Sequence, residues 1–153
     1  MAAGDFKWFA QGLHDLGNKI HDLDSDDWRM GIVTATNVPT VNEAGPHWGG
    51  TGTTNFATNQ VSTGTAYTGP IVLTAEAWTL EATGAIMDFA NVSIAQDASG
   101  FSNAAYGIVY NNTDANKRAI GYVEISSGGT GSNVGGALNL NLNAAGALRL
   151  AQS

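Results

Sequence analysis

The sequence predicts a mainly β fold, an antiparallel β-sandwich or barrel that carries one N-terminal amphipathic α-helix. Three observations predict this fold. Apolar residues recur at helical spacing near the N-terminus, and nowhere else over a comparable length. From residue 28 onward the apolar residues recur with a period of two, in short stretches separated by Gly, Asn and Ser. Helical and strand patterns do not alternate along the chain, so a parallel sheet is not indicated.

The length and composition are those of one folded domain with a short appendage. The chain has 153 residues, of which 43% are hydrophobic and 12% are charged, and it has no cysteine. Disordered chains combine low hydrophobicity with high charge, and this chain does not. We expect an N-terminal helical arm over residues 1–27 and a β-rich domain over residues 28–153.

The charge balance excludes some classes of partner. Thirteen acidic residues against six basic ones give a net charge of −7. Nucleic acids and anionic membranes are bound through Lys and Arg, so neither is expected as a partner. The apolar runs are far shorter than the roughly 20 residues that cross a bilayer, and no export signal is recognisable. We therefore expect a soluble protein that is made in the cytoplasm.

The first element is the amphipathic helix. Its apolar residues are separated by 3, 4, 3, 4 and 3 positions and form one stripe: Phe6, Phe9, Leu13, Leu16, Ile20 and Leu23. Asp5 is suited to cap the first turn, and Asp15 lies four residues before Lys19, as in a same-face ion pair. Gly12 and Gly17 each cost about 1 kcal/mol relative to alanine, so the helix needs something to pack against.

This stripe can pack against either of two surfaces. It can lie on the sheet of its own chain, which is the commoner arrangement, or it can contact other chains. We expect the intermolecular contact, because the segment is terminal and the acidic run of residues 24–27 separates it from the β region. The six apolar residues of the stripe are accordingly the predicted interface with other chains.

The strands follow. Trp28, Met30, Ile32 and Thr34 lie on one face of the first predicted strand, and residues 45–70 form a Gly-rich loop region with little core content. Further strands are predicted at residues 71–80, 86–94, 105–110, 119–125, 137–142 and 147–150. In the last two, leucines alternate with asparagines and then resume after a short Gly-containing turn, which predicts a hairpin.

The candidate metal sites do not meet the requirements of a ligand set. His14 and His21 are seven residues apart, roughly 10.5 Å along a helix, and on that spacing they cannot share one ion. The run beginning at Asp24 starts like a calcium loop, but its sixth position is Arg29 and its twelfth is Ala35, where Gly and Glu are required. We predict no metal and no cofactor.

The candidate catalytic groups are equally incomplete. No Gly-x-Ser-x-Gly motif is present, and His47 lies in the Gly-rich loop beside Trp48. The Gly-rich segment 129–135 has neither the lysine of a phosphate-binding loop nor the spacing of a dinucleotide site. The acids available for a glycosidase pair are Glu76, Glu81, Asp88 and Asp97, and the sequence does not select any two. We predict that the protein is not an enzyme.

Four tryptophans are the basis of an alternative function. Trp8, Trp28, Trp48 and Trp78 could form a platform for sugar rings, although aromatic residues in β-rich chains more often belong to the core. Carbohydrate binding is therefore the alternative that we retain.

Several segments of the chain resemble a family of small virion proteins, the head decoration or capsid cement proteins of tailed bacteriophages. The segments are Phe6 to Leu23, Ala95 to Phe101, Ala105 to Thr113, Lys117 to Val123 and Leu138 to Gly146. Together they cover about one third of the chain.

The resemblance implies a structural protein without catalytic residues. Its members bind the outside of an assembled shell of major capsid protein, often as trimers at threefold positions, so the resemblance implies localisation on the head surface of the virion. The alternative to a decoration protein is a head-fibre or host-surface carbohydrate-binding module.

Overall fold

The structure is a computed structural model that describes residues 5–74, 76–142 and 148–151. Within these ranges it contains one α-helix, α1 (Ala10–Gly17), one 3-10 helix (Phe56–Asn59) and twelve short strands. The strands are β1 (Phe6–Trp8), β2 (Trp28–Val33), β3 (Pro46–His47), β4 (Thr54–Asn55), β5 (Ile71–Val72), β6 (Ala77–Glu81), β7 (Gly84–Asp88), β8 (Val92–Ile94), β9 (Tyr106–Asn111), β10 (Ala119–Glu124), β11 (Leu138–Leu140) and β12 (Leu148–Ala151).

The centre of the fold is a five-stranded antiparallel sheet with the order β1-β10-β9-β2-β5. Strands β12, β7 and β6 form a three-stranded antiparallel sheet, β11 pairs antiparallel with β8, and β3 pairs parallel with β4. The predicted mainly β fold with antiparallel sheets and one helix near the N-terminus is confirmed. Among the described strands no closed barrel forms. The described residues also contain no helix with the length and hydropathy of a transmembrane segment.

Both faces of the central sheet are covered. Neighbouring residues of a strand point to opposite faces, and Ile108 and Val109 belong to two different apolar clusters. Ile32 and Val33 of β2 divide in the same way. The sequence predicted one buried face for this strand, whereas five of its six residues are buried. The difference arises because a separate apolar cluster covers each face of the sheet at β2.

Helix α1 is much shorter than the apolar stripe predicted. Phe6 belongs to β1, which pairs with β10 in the register Phe6↔Val123 and Trp8↔Gly121. Because β1 completes the edge of the central sheet, its backbone is hydrogen-bonded there and cannot form the first helical turns. The N-cap is Phe9, without a side-chain hydrogen bond, so the predicted cap by Asp5 is wrong.

The C-terminus of α1 has the geometry of a Schellman motif. The Lys19 N–H donates to Leu16 O (3.1 Å), and the Ile20 N–H donates to Asp15 O (3.0 Å). Lys19 takes the left-handed conformation, with φ 60°. The predicted same-face pair of Asp15 and Lys19 is absent, because the helix ends between them. The described part of residues 1–27 is packed into the β domain and does not form a separate arm.

The Gly-rich region 45–70 contributes substantially to the core, contrary to the expectation from sequence. Trp48, Phe56, Val61 and Tyr67 are all buried. The hydroxyl of Tyr67 accepts a hydrogen bond from the Ile32 N–H (3.0 Å). These residues are not spaced at the period of a helix or a strand, because each packs into the core as an isolated apolar residue. A search for periodicity therefore cannot find them.

The predicted C-terminal hairpin is wrong. Strand β11 pairs with β8, in the register Leu138↔Ile94, whereas β12 pairs with β7, in the register Leu148↔Met87. The segment between them, residues 143–147, lies outside the described residues. Alternation of leucine and asparagine indicates strands, but it does not determine which strand each one pairs with.

Candidate functional site

The structure separates the six residues of the predicted interface. Phe9 is fully buried and Leu23 is 4% exposed, so both belong to the core of this chain. Phe6 and Leu16 are partly buried against the same core, and Ile20 is half-buried. Leu13 is 42% exposed. The expectation of one continuous intermolecular stripe is therefore wrong for Phe9 and Leu23, and Leu13 is the member that remains open to a partner.

A buried polar cluster joins the N-terminal segment to the β9–β10 hairpin, and the sequence did not reveal it. Asp15, His21 and Asn111 are all more than nine-tenths buried. Gln11 Nε2 donates to Asp15 Oδ1 (2.8 Å), and Arg118 Nε lies 3.9 Å from Asp15 Oδ2. Residues from two distant parts of the chain, 11–21 and 111–118, thus meet in this cluster.

Hydrogen bonds fix the orientation of Asn111. Its Oδ1 accepts from the backbone N–H groups of Thr113 (2.9 Å) and Asp114 (3.1 Å). Its Nδ2 therefore faces the N-terminal segment, where it donates to Asp26 Oδ2 and lies 3.2 Å from His21 Nδ1. An amide nitrogen can only donate, so Nδ1 of His21 is the acceptor and the ring proton is on Nε2.

His21 is held in its neutral form. Burial lowers its pKa from the ordinary value of 6.5, and this effect exceeds the opposing influence of Asp15, Asp114 and Asp26. Within the described structure, neither the Nε2–H of His21 nor Oδ2 of Asp15 has a hydrogen-bond partner. The cluster therefore contains one unpaired donor and one unpaired acceptor, which a ligand oxygen or an ordered water can satisfy.

The metal and catalytic candidates remain apart. No group of three or more His, Asp or Glu among the described residues is arranged to hold a metal ion. His14 is exposed and His21 is buried beyond the end of α1, so they do not share a helical face as expected. His47, in the loop predicted from the glycines, is buried, with Nδ1 3.1 Å from Gly45 O.

The acids considered for a glycosidase pair serve local structure. Asp97 Oδ2 accepts from the Thr65 N–H (2.7 Å) and hydroxyl (2.8 Å) and from the Ala66 N–H (3.1 Å), while Oδ1 accepts from the Ser99 N–H (2.9 Å). These hydrogen bonds lower the pKa of Asp97 to about 2. Glu81 lies 3.3 Å from Arg149 at the opposite end of the β6–β7 hairpin from Asp88. Asp97 therefore fastens two loops together and is not paired with a second acid.

One end of the three-stranded sheet of β6, β7 and β12 is exposed to solvent. Thr79 and Leu80 are neighbours in β6, so they face opposite sides of the sheet, and both are exposed. Leu80 is 90% exposed. Strand β6 lies at the edge of the sheet, with β7 on one side. Neither face is covered at this end, which distinguishes this sheet from the central one.

Two cavities flank the N-terminal segment. One of about 320 Å³ lies between α1 and the loop 45–52, with His14, Asp15 and Arg118 in its wall. The other, of about 460 Å³, lies between the end of α1 and strand β6. Its lining residues are Leu16, Lys19, His21, Asp22, Leu23 and Trp78. Trp78 is thus the tryptophan that borders an open cavity here, while Trp28 and Trp48 are buried in the core.

Comparison with protein-family models, curated proteins and solved structures found no match for this chain.

Proposed function

We propose that the protein is a virion structural protein that binds the outer surface of an assembled phage head and stabilises it. Its partner is the major capsid protein, and the protein acts as a trimer. The observation that carries the proposal is the three-stranded sheet, which leaves the β6 edge and the end of the sheet around Leu80 uncovered. The resemblance in five segments of the chain supplies the identity of the partner.

An uncovered sheet edge is a ready surface for protein contacts. The free side of an edge strand presents backbone donors and acceptors that another chain can pair with. Soluble proteins usually protect such edges, and they rarely leave a large apolar side chain as exposed as Leu80 beside one. Binding to another protein covers both features at once.

The charge of the protein favours a protein partner. With a net charge of −7 the chain repels nucleic acid and anionic membranes. Its surface is rich in Thr, Asn and Ser, which form many neutral contacts. A protein that binds the assembled shell better than separate subunits stabilises the shell by mass action.

The test is binding to heads that were assembled without this protein. The purified protein should sediment with these heads and raise their resistance to heat and low salt. Leu80→Asp should abolish sedimentation, because it places a charge in the contact. Val38→Asp is the control: Val38 is 52% exposed in the loop after β2, outside the three-stranded sheet, so this variant should still bind.

Circular dichroism must show that both variants keep their strands, and analytical ultracentrifugation measures the trimer. Heads that resist heat equally well with and without the protein would refute the stabilising role. Equal binding by Leu80→Asp would refute the assignment of the contact to β6.

A further inference from the structure

The cavity between α1 and β6 has the features of a small-ligand site. Its volume of about 460 Å³ falls within the range of about 300–1,000 Å³ found for small-molecule pockets. It forms only in the folded chain, because Trp78 approaches residues 16–23 from β6. Its wall combines apolar side chains with a few polar groups, which is the usual composition of a ligand pocket.

The apolar part of the wall consists of Leu16, Leu23 and Trp78. Leu23 is buried, while Leu16 and Trp78 are half-buried and pack against the core. The core therefore supports the indole ring from one side and leaves the other part of it accessible. A supported indole is a suitable surface for the C–H face of a sugar ring.

The polar part consists of Lys19, His21 and Asp22. Hydrogen bonds from the Asp24 and Ser25 segment lower the pKa of Asp22, so its carboxylate is ionised and accepts hydrogen bonds. The Lys19 ammonium donates. The Nε2–H of His21 is buried and has no acceptor in the described structure, and one water can link it to a ligand oxygen.

The backbone at Lys19 is a further unusual feature of this wall. Lys19 is left-handed at the position of the helix C-terminus where glycine is preferred. A lysine there is strained, and strain of this kind concentrates at binding sites. The strained conformation places the lysine at the rim of the cavity.

We propose that this cavity binds one neutral hexopyranose unit of a polysaccharide. One face of the ring stacks on Trp78, and its hydroxyl groups bond to Lys19 and Asp22 and, through one water, to His21. A sugar ring matches the wall because it is apolar on its faces and carries both donors and acceptors at its edge. The cavity thus adds a glycan-binding site between α1 and β6, at a different place from the exposed end of the sheet at Leu80.

The surrounding charge selects a neutral ligand. Asp24, Asp26 and Asp27 follow the lining residues directly, and the whole chain carries a net charge of −7. Anionic sugars, phosphates and nucleic acids are therefore repelled. A neutral ring avoids this repulsion and still uses the donors and the acceptor of the polar wall.

The experiment is saturation-transfer NMR of the intact protein with the methyl glycosides of glucose, galactose, mannose and N-acetylglucosamine. At least one of them should show saturable binding. Trp78→Ala should weaken that binding about tenfold or more, because it removes the stacking surface. Leu80→Ala is the matched control: Leu80 lies two residues further along β6 and does not line this cavity, so binding should be unchanged.

A second pair of variants decides the question if Trp78→Ala does not fold. Lys19→Gly relieves the strained backbone, and Asp22→Asn keeps an oxygen for the Asp24 N–H. Both should fold and both should bind the sugar more weakly. The proposal is overturned if none of the four glycosides binds, or if the folded variants bind as tightly as the unchanged protein.

The two proposals can fail separately. Loss of head binding in Trp78→Ala, with no sugar bound by the unchanged protein, would assign the cavity to a protein partner and overturn the glycan site. Sugar binding in a protein that does not bind heads would leave the glycan site and remove the decoration function.

Discussion

Gly12 and Gly17 have opposite environments within the same short helix. A Cβ atom at Gly12 would lie 2.5 Å from Ile120 O and 2.9 Å from Ile120 Cα, both of them backbone atoms. A Cβ atom at Gly17 would meet nothing within 4 Å. Gly12 is therefore what allows α1 to lie directly on β10, whereas Gly17 makes no such contact.

We predict that Gly12→Ala lowers the free energy of unfolding by about 1–3 kcal/mol, as overpacking does. Gly17→Ala should raise it by up to about 1 kcal/mol, because alanine is the better helix former. Urea denaturation of the two variants measures both effects. Equal changes in the two variants would contradict the close approach of α1 to β10.

Lys19 is the residue at which the backbone itself can be tested. Its φ of 60° is unfavourable for a residue with a Cβ atom. We predict that Lys19→Gly raises the free energy of unfolding by about 1 kcal/mol. Lys19→Ala is the control, because it removes the charge and keeps the strain; it should give no such gain in the same urea titration.

The N-terminal segment shows how one apolar pattern serves two elements. Phe9 packs against Phe56 and Tyr122, with ring centroids 5.8 Å and 5.2 Å apart. Leu13, four residues later in the same predicted stripe, is exposed. The segment begins as strand β1, turns into α1 and ends in the core at Leu23, so its apolar residues face different neighbours.

We predict that Phe9→Ala lowers the free energy of unfolding by about 3–5 kcal/mol, because it leaves a cavity in the core. Leu13→Ala should change it by less than about 0.5 kcal/mol, as expected for an exposed position. Thermal and urea unfolding of the isolated protein measure the difference. Similar small effects in both variants would contradict the burial of Phe9 in the core and would favour the alternative that the segment is free to contact other chains.

At the scale of elements, the sequence predicted most of the strands but fewer of their partners. Strands β9 and β10 lie within one or two residues of the predicted ranges 105–110 and 119–125. The predicted segments 71–80 and 86–94 each divide between two sheets, as β5 and β6 and as β7 and β8. Period-two alternation is a local property, whereas the choice of partner depends on where the rest of the chain lies.

The whole molecule should lose stability in acid in two steps. His21 has a lowered pKa in the folded state, so the unfolded chain binds a proton more readily; the stability is complete above pH 6.5 and falls as the pH decreases below it. Asp97 has a pKa of about 2, and that of Asp27 is also lowered, mainly by its hydrogen bonds with Arg29. Their contribution is present above the ordinary value of 3.8 and is lost as the pH falls towards 2.

Urea midpoints measured from pH 7 to pH 3 test this prediction. His21→Gln should flatten the decrease between pH 7 and pH 5. His14→Gln is the control, because the His14 side chain is 69% exposed, and it should keep the decrease. A midpoint that stays constant from pH 7 to pH 5 in the unchanged protein would contradict the role of His21.

The candidate site was only partly predictable from sequence. The tryptophans suggested a sugar platform, and Trp78 borders the cavity between α1 and β6. The sequence did not single out Lys19 or Asp22, and it placed His21 on the predicted helix. Burial keeps His21 neutral, and its contact with Asn111, ninety residues later in the chain, leaves the ring proton on Nε2.

The sequence by itself determined the class of fold, the presence of one N-terminal helix and the net charge of −7. Composition and short-range periodicity are sufficient for these, since they depend on residues close together in the chain. Only the tertiary structure decided that β1 completes the central sheet, that Trp48 and Phe56 belong to the core, and that β6 is left exposed. Each of these depends on contacts between distant residues, because a side chain becomes buried or exposed only when the neighbouring elements are in place.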